Sequence, residues 1–546
     1  MSSVPTTTDR IRARIIPSQS IISLLCERQQ GLGRTNRAFF NYRQFYKTIR
    51  PNLSIINVEK PQCYLRKFSL DGKYLIAFSY DQTRLEIYRY RGITAAMELT
   101  SGVTEEMVAN FNMGLNLEIR SKIFNKLFKL EHVVETSREK QLNRECSLFT
   151  SDYRHVILGA ASFIPDELRP NFYSLYTNNE SITPTASSPL EDYTIYIIDL
   201  NTGLITDSHD FCVDKIILSH NQGLYLYENT LAVLSIQHQT IYIFHLEDGK
   251  LTLLRSIGRF CSHEEEFLYS SCPQNTCIRP FREPIINSLK HRILVFLYQD
   301  AKKREEAGDS TAIRRFYQLF ESYKNLRMWK MQLIDGDHLL IKYSIEDVVT
   351  LKASDPNSHS AFFVFYNIWE SKVLGFFDNK SEDLLWLYEN FSDCFRNVHS
   401  IHNTSSPSNN FHMNLMHQRF KQTILVSKPN GMLEATKRLL AQLPISSQSY
   451  CSSPYLDMSL FSYDDKWVSA LERPKACAEF PIRFFARDSG ILKFRLHGNM
   501  SKLSNNSSRR LVAFSFHPTD PFIISVQRHN TEYIANFHIR GPSGIT

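Results

Sequence analysis

Four segments of the chain repeat one order of residue types: an aromatic, a polar turn, then an apolar run. They are FSLDGKYLIAF (68–78), FTSDYRHVILG (149–159), FSYDDKWVSAL (461–471) and FHPTDPFIISV (516–526). Asp-Gly, Asp-Asp and Asp-Pro supply tight-turn chemistry between strands, and the aromatic and β-branched runs suit strands. Further strand-like runs follow three of them: RLEIYRY (84–90), YTIYIIDL (193–200) and YIANFHI (533–539). Similar alternation fills 215–251 and 328–353, the latter running on into AFFVFYNIWESKVLGFFD (361–378). The pattern predicts an all-β fold with helical insertions, a WD-type-like β-propeller of about seven blades. A pair of β-sandwiches would also alternate strands and turns, but recurrence at both ends of the chain favours a closed ring, which removes exposed sheet edges.

Three stretches break the strand pattern. SEDLLWLYENFSDCFRN (381–397) sets Leu384, Leu385, Tyr388, Phe391 and Phe395 at helical spacing. FHMNLMHQRFKQTILVSK and GMLEATKRLLAQLP continue as helix until Pro444. Two helices are expected around Gly308 within 285–327, and 92–141 is a third, less regular interruption. The expected organisation is an N-terminal arm over 1–50 and a ring over 51–546, with insertions at 92–141, 260–327 and 379–443. Leu384, Tyr388, Phe391 and Phe395 are candidate partner-binding residues, bracing of the ring being their other use. In the arm, IIPSQSIISLLCERQQGLGRTNR predicts a helix over about 18–30, capped by Ser18 or Ser20 and ended by Gly31. Ile21, Ile22, Leu24 and Leu25 form a narrow apolar stripe with Arg28 one turn on. So short a helix must dock, either on its own ring or in a partner's groove.

Composition narrows the function class. The 546 residues carry 63 basic and 56 acidic side chains, a net charge of +7 that describes a mixed surface rather than a nucleic-acid footprint. The ten cysteines contain no CxxC pair, so local spacing assembles no zinc ribbon. No apolar leader and no long apolar run is present, which predicts an intracellular protein without a membrane span. Candidate chemistry is thin. His263 with Glu264, Glu265 and Glu266 lacks metal-binding spacing. GLGR (31–34) lacks the phosphate-loop frame. Ser462 and Asp464 read as turn residues, and Cys63 and Cys146 as core thiols. Lys302, Lys303 and Arg304 read as a helix face, while Arg509 and Arg510 could meet an acidic partner. No catalytic residue, metal or cofactor is expected.

Longer strings carry a resemblance. The pattern I-I-x-x-L-x-x-R…G-x-G-R, with Ile21, Ile22, Leu25, Arg28, Leu32 and Arg34, resembles the helical box by which receptors of cullin-four ubiquitin ligases dock on the adaptor damage-specific DNA-binding protein one. NVEKPQCYLRKFSLDGKYLIAFSYDQTRLEIY (57–88), LNRECSLFTSDYR (142–154), LSHNQGLYLYENTLAVLSIQ (218–237), PFREPIINSLKHRILV (280–295), LRMWKMQL (326–333) and RRLVAFSFHP (509–518) are similar to the de-etiolated-one family in its animal form. The resemblance implies a non-catalytic scaffold or substrate receptor of a nuclear ubiquitin-ligase complex. The implied partners are the cullin-four adaptor, its small accessory subunit, the constitutive-photomorphogenic ligase and a ubiquitin-conjugating enzyme, acting toward degradation of transcription factors. A histone-binding transcriptional repressor is the competing expectation.

Overall fold

The computed structural model describes residues 46–541 apart from 102–113, 138, 166–169, 185–188, 272–285, 357, 398–407, 428–430, 452, 459, 465–466, 469–470, 472, 478–480, 498–509 and 530–531. Its strands form six antiparallel sheets. The first strand, β1 (Leu53–Ile55), pairs at the far end of the chain. Sheet I holds β2 (Cys63–Phe68), β3 (Tyr74–Ser79), β4 (Arg84–Tyr90) and β5 (Phe128–Glu135). Sheet II holds β6 (Gln141–Phe149), β7 (His155–Phe163), β8 (Glu191–Asp199) and β9 (Ile205–Asp214). Sheet III holds β10 (Leu224–Tyr227), β11 (Thr230–Ser235), β12 (Thr240–Glu247) and β13 (Lys250–Ile257), and sheet IV β14 (Arg327–Leu333), β15 (His338–Ser344), β16 (Ala361–Asn367) and β17 (Lys372–Asp378). Sheet V is smaller: β18 (Phe461–Ser462), β20 (Ile482–Ala486) and β21 (Leu492–Leu496). In sheet VI, β19 (Lys475–Cys477), β22 (Arg510–Phe516), β23 (Ile523–His529) and β24 (Glu532–Ile539) end on β1, with Leu53 opposite Ile539.

The repeated turns work as side-chain clips. Ser69 Oγ donates to Asp71 at 2.6 Å, Asp71 accepts Lys73 N, and Ser69 Oγ accepts Tyr74 N at 3.0 Å. Thr150, Asp152, Arg154 N and His155 N repeat the arrangement in sheet II, and Ser79, Asp81 and Arg84 N between β3 and β4. In FHPTDPF, His517 Nδ1 takes the clip's place, accepting Asp520 N at 2.8 Å, while Nε2 donates to Gly72 O at 2.9 Å. Gly72 has φ +77°, and a Cβ there would lie 2.4 Å from the His517 ring, so both backbone sign and space require glycine.

Five cores lie between two sheets, four of them between sheets that follow one another in the chain, while Leu340 and Phe363 of sheet IV pack on Leu384, Leu439 and Leu440. Phe78 and Ile87 of sheet I meet Val156 and Ile198 of sheet II. Leu148 and Ile195 meet Leu231 and Phe244 of sheet III. Ile241 and Ile243 meet Met331 and Ile341 of sheet IV. At the other end, Phe484 and Leu496 of sheet V meet Val512 and Ile523, and Ile524 and Phe537 of sheet VI, with Phe522 just before β23, meet Phe68 and Leu75 of sheet I. A strand packed on both faces is apolar along its length: every residue of β3 is buried. Six sheets stand among the described residues where about seven blades are expected, and 328–353 with 361–378 forms one four-stranded sheet.

Helices occupy the breaks in the pattern. Helix α1 (Gly114–Leu127) lies against sheets I and VI through Ile123 and Phe124. The stretch 92–141 also supplies β5, so it is not purely an interruption. Helices α2 (His263–Ser271), α3 (Ser288–Glu306) and α4 (Ala312–Lys324) lie between sheets III and IV in the chain. Helices α5 (Glu382–Asn390), α6 (Ser408–Ser427) and α7 (Gly431–Leu440) follow sheet IV.

Candidate functional site

Ile21, Ile22, Leu25, Arg28, Leu32 and Arg34 lie outside the described residues, as do GLGR (31–34), Cys272, Cys277 and Arg509. The second expected set is placed. Ser381 caps α5 by accepting Leu384 N at 3.2 Å. Leu384, Tyr388 and Phe395 are buried with Leu439 and Leu440 of α7 and Phe363 of β16, and Phe391 is half-buried against them. These four side chains are packed within the chain. The exposed apolar groups lie one layer further out: Phe420, Leu425 and Val426 on α6, Met432 and Leu433 on α7.

The acidic run has a structural role. Glu265 accepts Cys261 N at 2.9 Å and Ser288 Oγ at 2.7 Å and pairs with Arg292, tying α2 to the start of α3. His263 Nε2 lies 2.9 Å from Leu254 O. No group of three or more metal-ligating side chains occurs among the described residues. On α3, Arg304 pairs with Asp300 at 2.7 Å, one turn back. Burial pushes the Cys63 and Cys146 thiols up to about 12, which keeps both protonated and unreactive.

One cluster that sequence reading passed over has the composition of a nucleophilic site. Asp214 is buried, Ser235 Oγ donates to it at 2.6 Å, and His238 is beside them. The bonding differs from that of a catalytic triad. His238 reaches Ser235 through its backbone N, at 3.1 Å, and its Nδ1 is 3.0 Å from Thr177 Oγ1. The serine proton points to the carboxylate, so the imidazole does not serve it as a base. Burial raises the Asp214 pKa, and the cluster pins the end of β9 to β11.

The inner ends of the sheets are joined by residues 443–451. Ile445 N donates to Gln332 Oε1 on β14 at 2.8 Å. Leu226 N of β10 donates to Ser447 Oγ at 3.1 Å, and Ser447 Oγ donates to Leu226 O at 3.2 Å. Phe149 N of β6 donates to Gln448 Oε1 at 2.9 Å, and Gln448 Nε2 donates back to Phe149 O at 2.5 Å. The segment thus acts as a strap that satisfies backbone groups at the edges of sheets II and III and is itself held by the Gln332 side chain of sheet IV. It ends at Cys451, against the sheet V–VI core.

On the outside, a groove of about 590 Å³ runs between α3 and β17, the edge strand of sheet IV. Val295, Phe296, Val373 and Leu374 give it an apolar floor, and Arg292, Asp300, Lys303 and Lys372 a charged rim. Such an apolar floor with a polar rim suits protein contact better than a small-molecule reaction. Tyr317 and Leu319 on α4 add exposed apolar area nearby in the chain.

No helix among the described residues is long and apolar enough to cross a membrane. Comparison with solved structures gives distant matches. The chain is 7% identical to the Cps50 (Swd1) β-propeller domain of Myceliophteria thermophila, covering 89% of this chain and 99% of that one, with a TM-score of 0.31. It is 8% identical to the WD40 domain of SCAP from fission yeast, covering 59% and 54%, with a TM-score of 0.22. Curated relatives are nearer. The light-mediated development protein DET1 of Arabidopsis thaliana is 28% identical, over 96% of this chain and 99% of the relative. Its namesake in Solanum lycopersicum is 27% identical over the same shares. The model described as De-etiolated protein 1 Det1 matches residues 144–541, so the chain belongs to the De-etiolated protein 1 family.

Proposed function

We propose that this chain is a non-catalytic scaffold and substrate-receptor subunit of a nuclear cullin-four ubiquitin ligase. In this reading an N-terminal arm over 1–50 carries the docking helix. Residues 51–546 form a WD-type-like propeller whose helical insertions face other subunits. Ile21, Ile22, Leu25, Arg28, Leu32 and Arg34 engage the adaptor, damage-specific DNA-binding protein one. The small accessory subunit, the constitutive-photomorphogenic ligase and a ubiquitin-conjugating enzyme gather on the same scaffold and promote degradation of transcription factors. The observation that carries the reading is alignment with DET1 relatives over 96% of the chain, together with the I-I-x-x-L-x-x-R box. Two structural features support it. Cores shared along sheets I to IV, between sheets V and VI and between sheets VI and I, with β1 completing sheet VI, suit a ring. The outward groups of α4, α6 and α7 leave apolar area for protein contact.

The test is affinity purification of the adaptor with Leu25→Asp and Arg28→Glu variants. Either change should reduce recovered adaptor by at least about tenfold, as expected when an anchor of a helix-in-groove contact is lost, with thermal unfolding unchanged. Undiminished recovery with both variants would sink the helical-box reading and move docking to the helices between 263 and 440.

A further inference from the structure

Lys330 on β14 and Lys342 on β15 stand directly opposite one another in the ladder. Like charges in that position repel, and a buried charge is ordinarily paired. Here, among the described residues, neither ammonium has a carboxylate within ion-pair distance. Lys342 is 3% exposed, and its Nζ has one long bond, 3.4 Å to Leu443 O. It lies 4.9 Å from the centre of the Trp329 ring and 5.2 Å from that of Phe363. Lys330 Nζ lies 4.8 Å from the same indole. Both ammonium groups thus crowd Trp329 beside the strap, and the rings offer them cation–π attraction without neutralising them.

A third cation belongs to the cluster. Arg473, two residues past the bridge between Tyr450 and Leu471, is exposed, and its charge acts on Lys330, His220 and Tyr450. Lys330 and Lys342 come from β14 and β15, and Arg473 follows the bridge that Leu471 makes to Tyr450 at the end of the strap. The other charged neighbours are already matched. Arg396 pairs with Asp393 at 3.1 Å, and His220 faces Glu145 at 3.6 Å.

We propose that Lys330, Lys342 and Arg473 form an anion site that takes a small, multiply charged phosphate compound at the inner edges of the sheets. A phosphate group has enough acceptor oxygens to meet two ammonium groups and the guanidinium fork together. Its charge removes the repulsion built into the ladder. The site is independent of the N-terminal docking helix and stands whether or not that helix binds an adaptor.

Burial, and after it the neighbouring cation, pushes Lys342 down to about 7 and Lys330 down to about 8. An arriving anion draws protons onto both, so binding tightens as pH falls and takes up protons near neutrality. The experiment is calorimetry and thermal unfolding of the full-length chain with pyrophosphate and with inorganic phosphate at constant ionic strength. Pyrophosphate should give a saturable rise in melting temperature and a binding heat that changes with the ionisation enthalpy of the buffer. Lys330→Met and Arg473→Gln should each weaken binding by roughly tenfold or more. Arg473→Gln, at an exposed position, should leave the unliganded protein as stable as before. An absence of saturable binding by either phosphate compound overturns the proposal. So does binding that both variants retain in full. A poly-glutamate peptide that saturates where pyrophosphate does not would assign the cluster to an acidic protein segment and also overturn it.

Discussion

Strand β15 separates two buried lysines that solve the same problem differently. On one face, Lys290 from the first turn of α3 lies over the Tyr343 ring, 5.1 Å from its centre. It donates to Leu326 O and, at 3.4 Å, to Lys324 O, and lies 3.5 Å from the Glu180 carboxylate. From the next residue of β15, Lys342 reaches a site with two rings, one distant carbonyl and a second lysine. Burial pushes both ammonium groups down, to about 8 and about 7. What differs is what the chain supplies in return. Lys290 is a structural pin joining α3, 178–182 and the entry to β14. Lys342 is left with a charge the fold does not neutralise, and that difference marks its site as one completed from outside.

Removing each charge should therefore act with opposite sign. Lys290→Met leaves Glu180 and two carbonyls buried without their donor, and we expect a loss of about 3–5 kcal/mol in urea unfolding. A second change, Glu180→Leu, should recover part of it; no recovery would show that the pair is not the reason. Lys342→Met removes an unmatched cation and should stabilise the unliganded protein by about 1–3 kcal/mol near pH 6. The folded pKa of Lys342 lies below its unfolded value of about 10.4, so the unfolded chain holds more protons between about pH 7 and that value. Wild-type stability from this group accordingly rises with pH across that window. The advantage of the variant should shrink as pH climbs from about 7 toward 10. An advantage that stays flat over that range would mean Lys342 is not the titrating group.

The sequence shows why one half of this contrast was legible and the other was not. The clips at Ser69–Asp71 and Thr150–Asp152 join residues two apart, so local order of residue types reveals them. The stripe through Leu384 and Tyr388 likewise reveals a helix, but the expected run to Asn397 breaks at Phe391, and Phe395 lies on a separate short helix, Ser392–Phe395. Periodicity alone does not say whether a stripe meets its own core or another protein, and here it meets α7 and β16. In HLLIKYS (338–344) a lysine between apolar residues reads as an outward face. Sheets stacked on both sides bury it instead, and β15 is buried from Leu339 to Ser344. The strap depends on contacts spanning 221 and 299 residues, and no local pattern encodes such separations. FSYDDKW carries the repeat, and among the described residues it supplies the strand Phe461–Ser462.

A neutral polar group in the same inner region isolates charge from burial. Gln448 is half-buried and, unlike Lys342, fully used, its amide closing both the N–H and the C=O of Phe149. Gln448→Ala should cost about 1–2 kcal/mol, the ordinary consequence of leaving one buried donor and one acceptor unmet. The loss should be the same at pH 6 and pH 9, since nothing in that contact titrates. Amide hydrogen exchange offers the sharper reading: Phe149 N–H should lose protection in the variant while the amides of β7 keep theirs. Equal loss across β6 and β7 would mean that the strap holds sheet II as a whole rather than its inner edge. The contrast between Lys290 and Lys342 would then need to be read against a looser inner region than the hydrogen bonds describe.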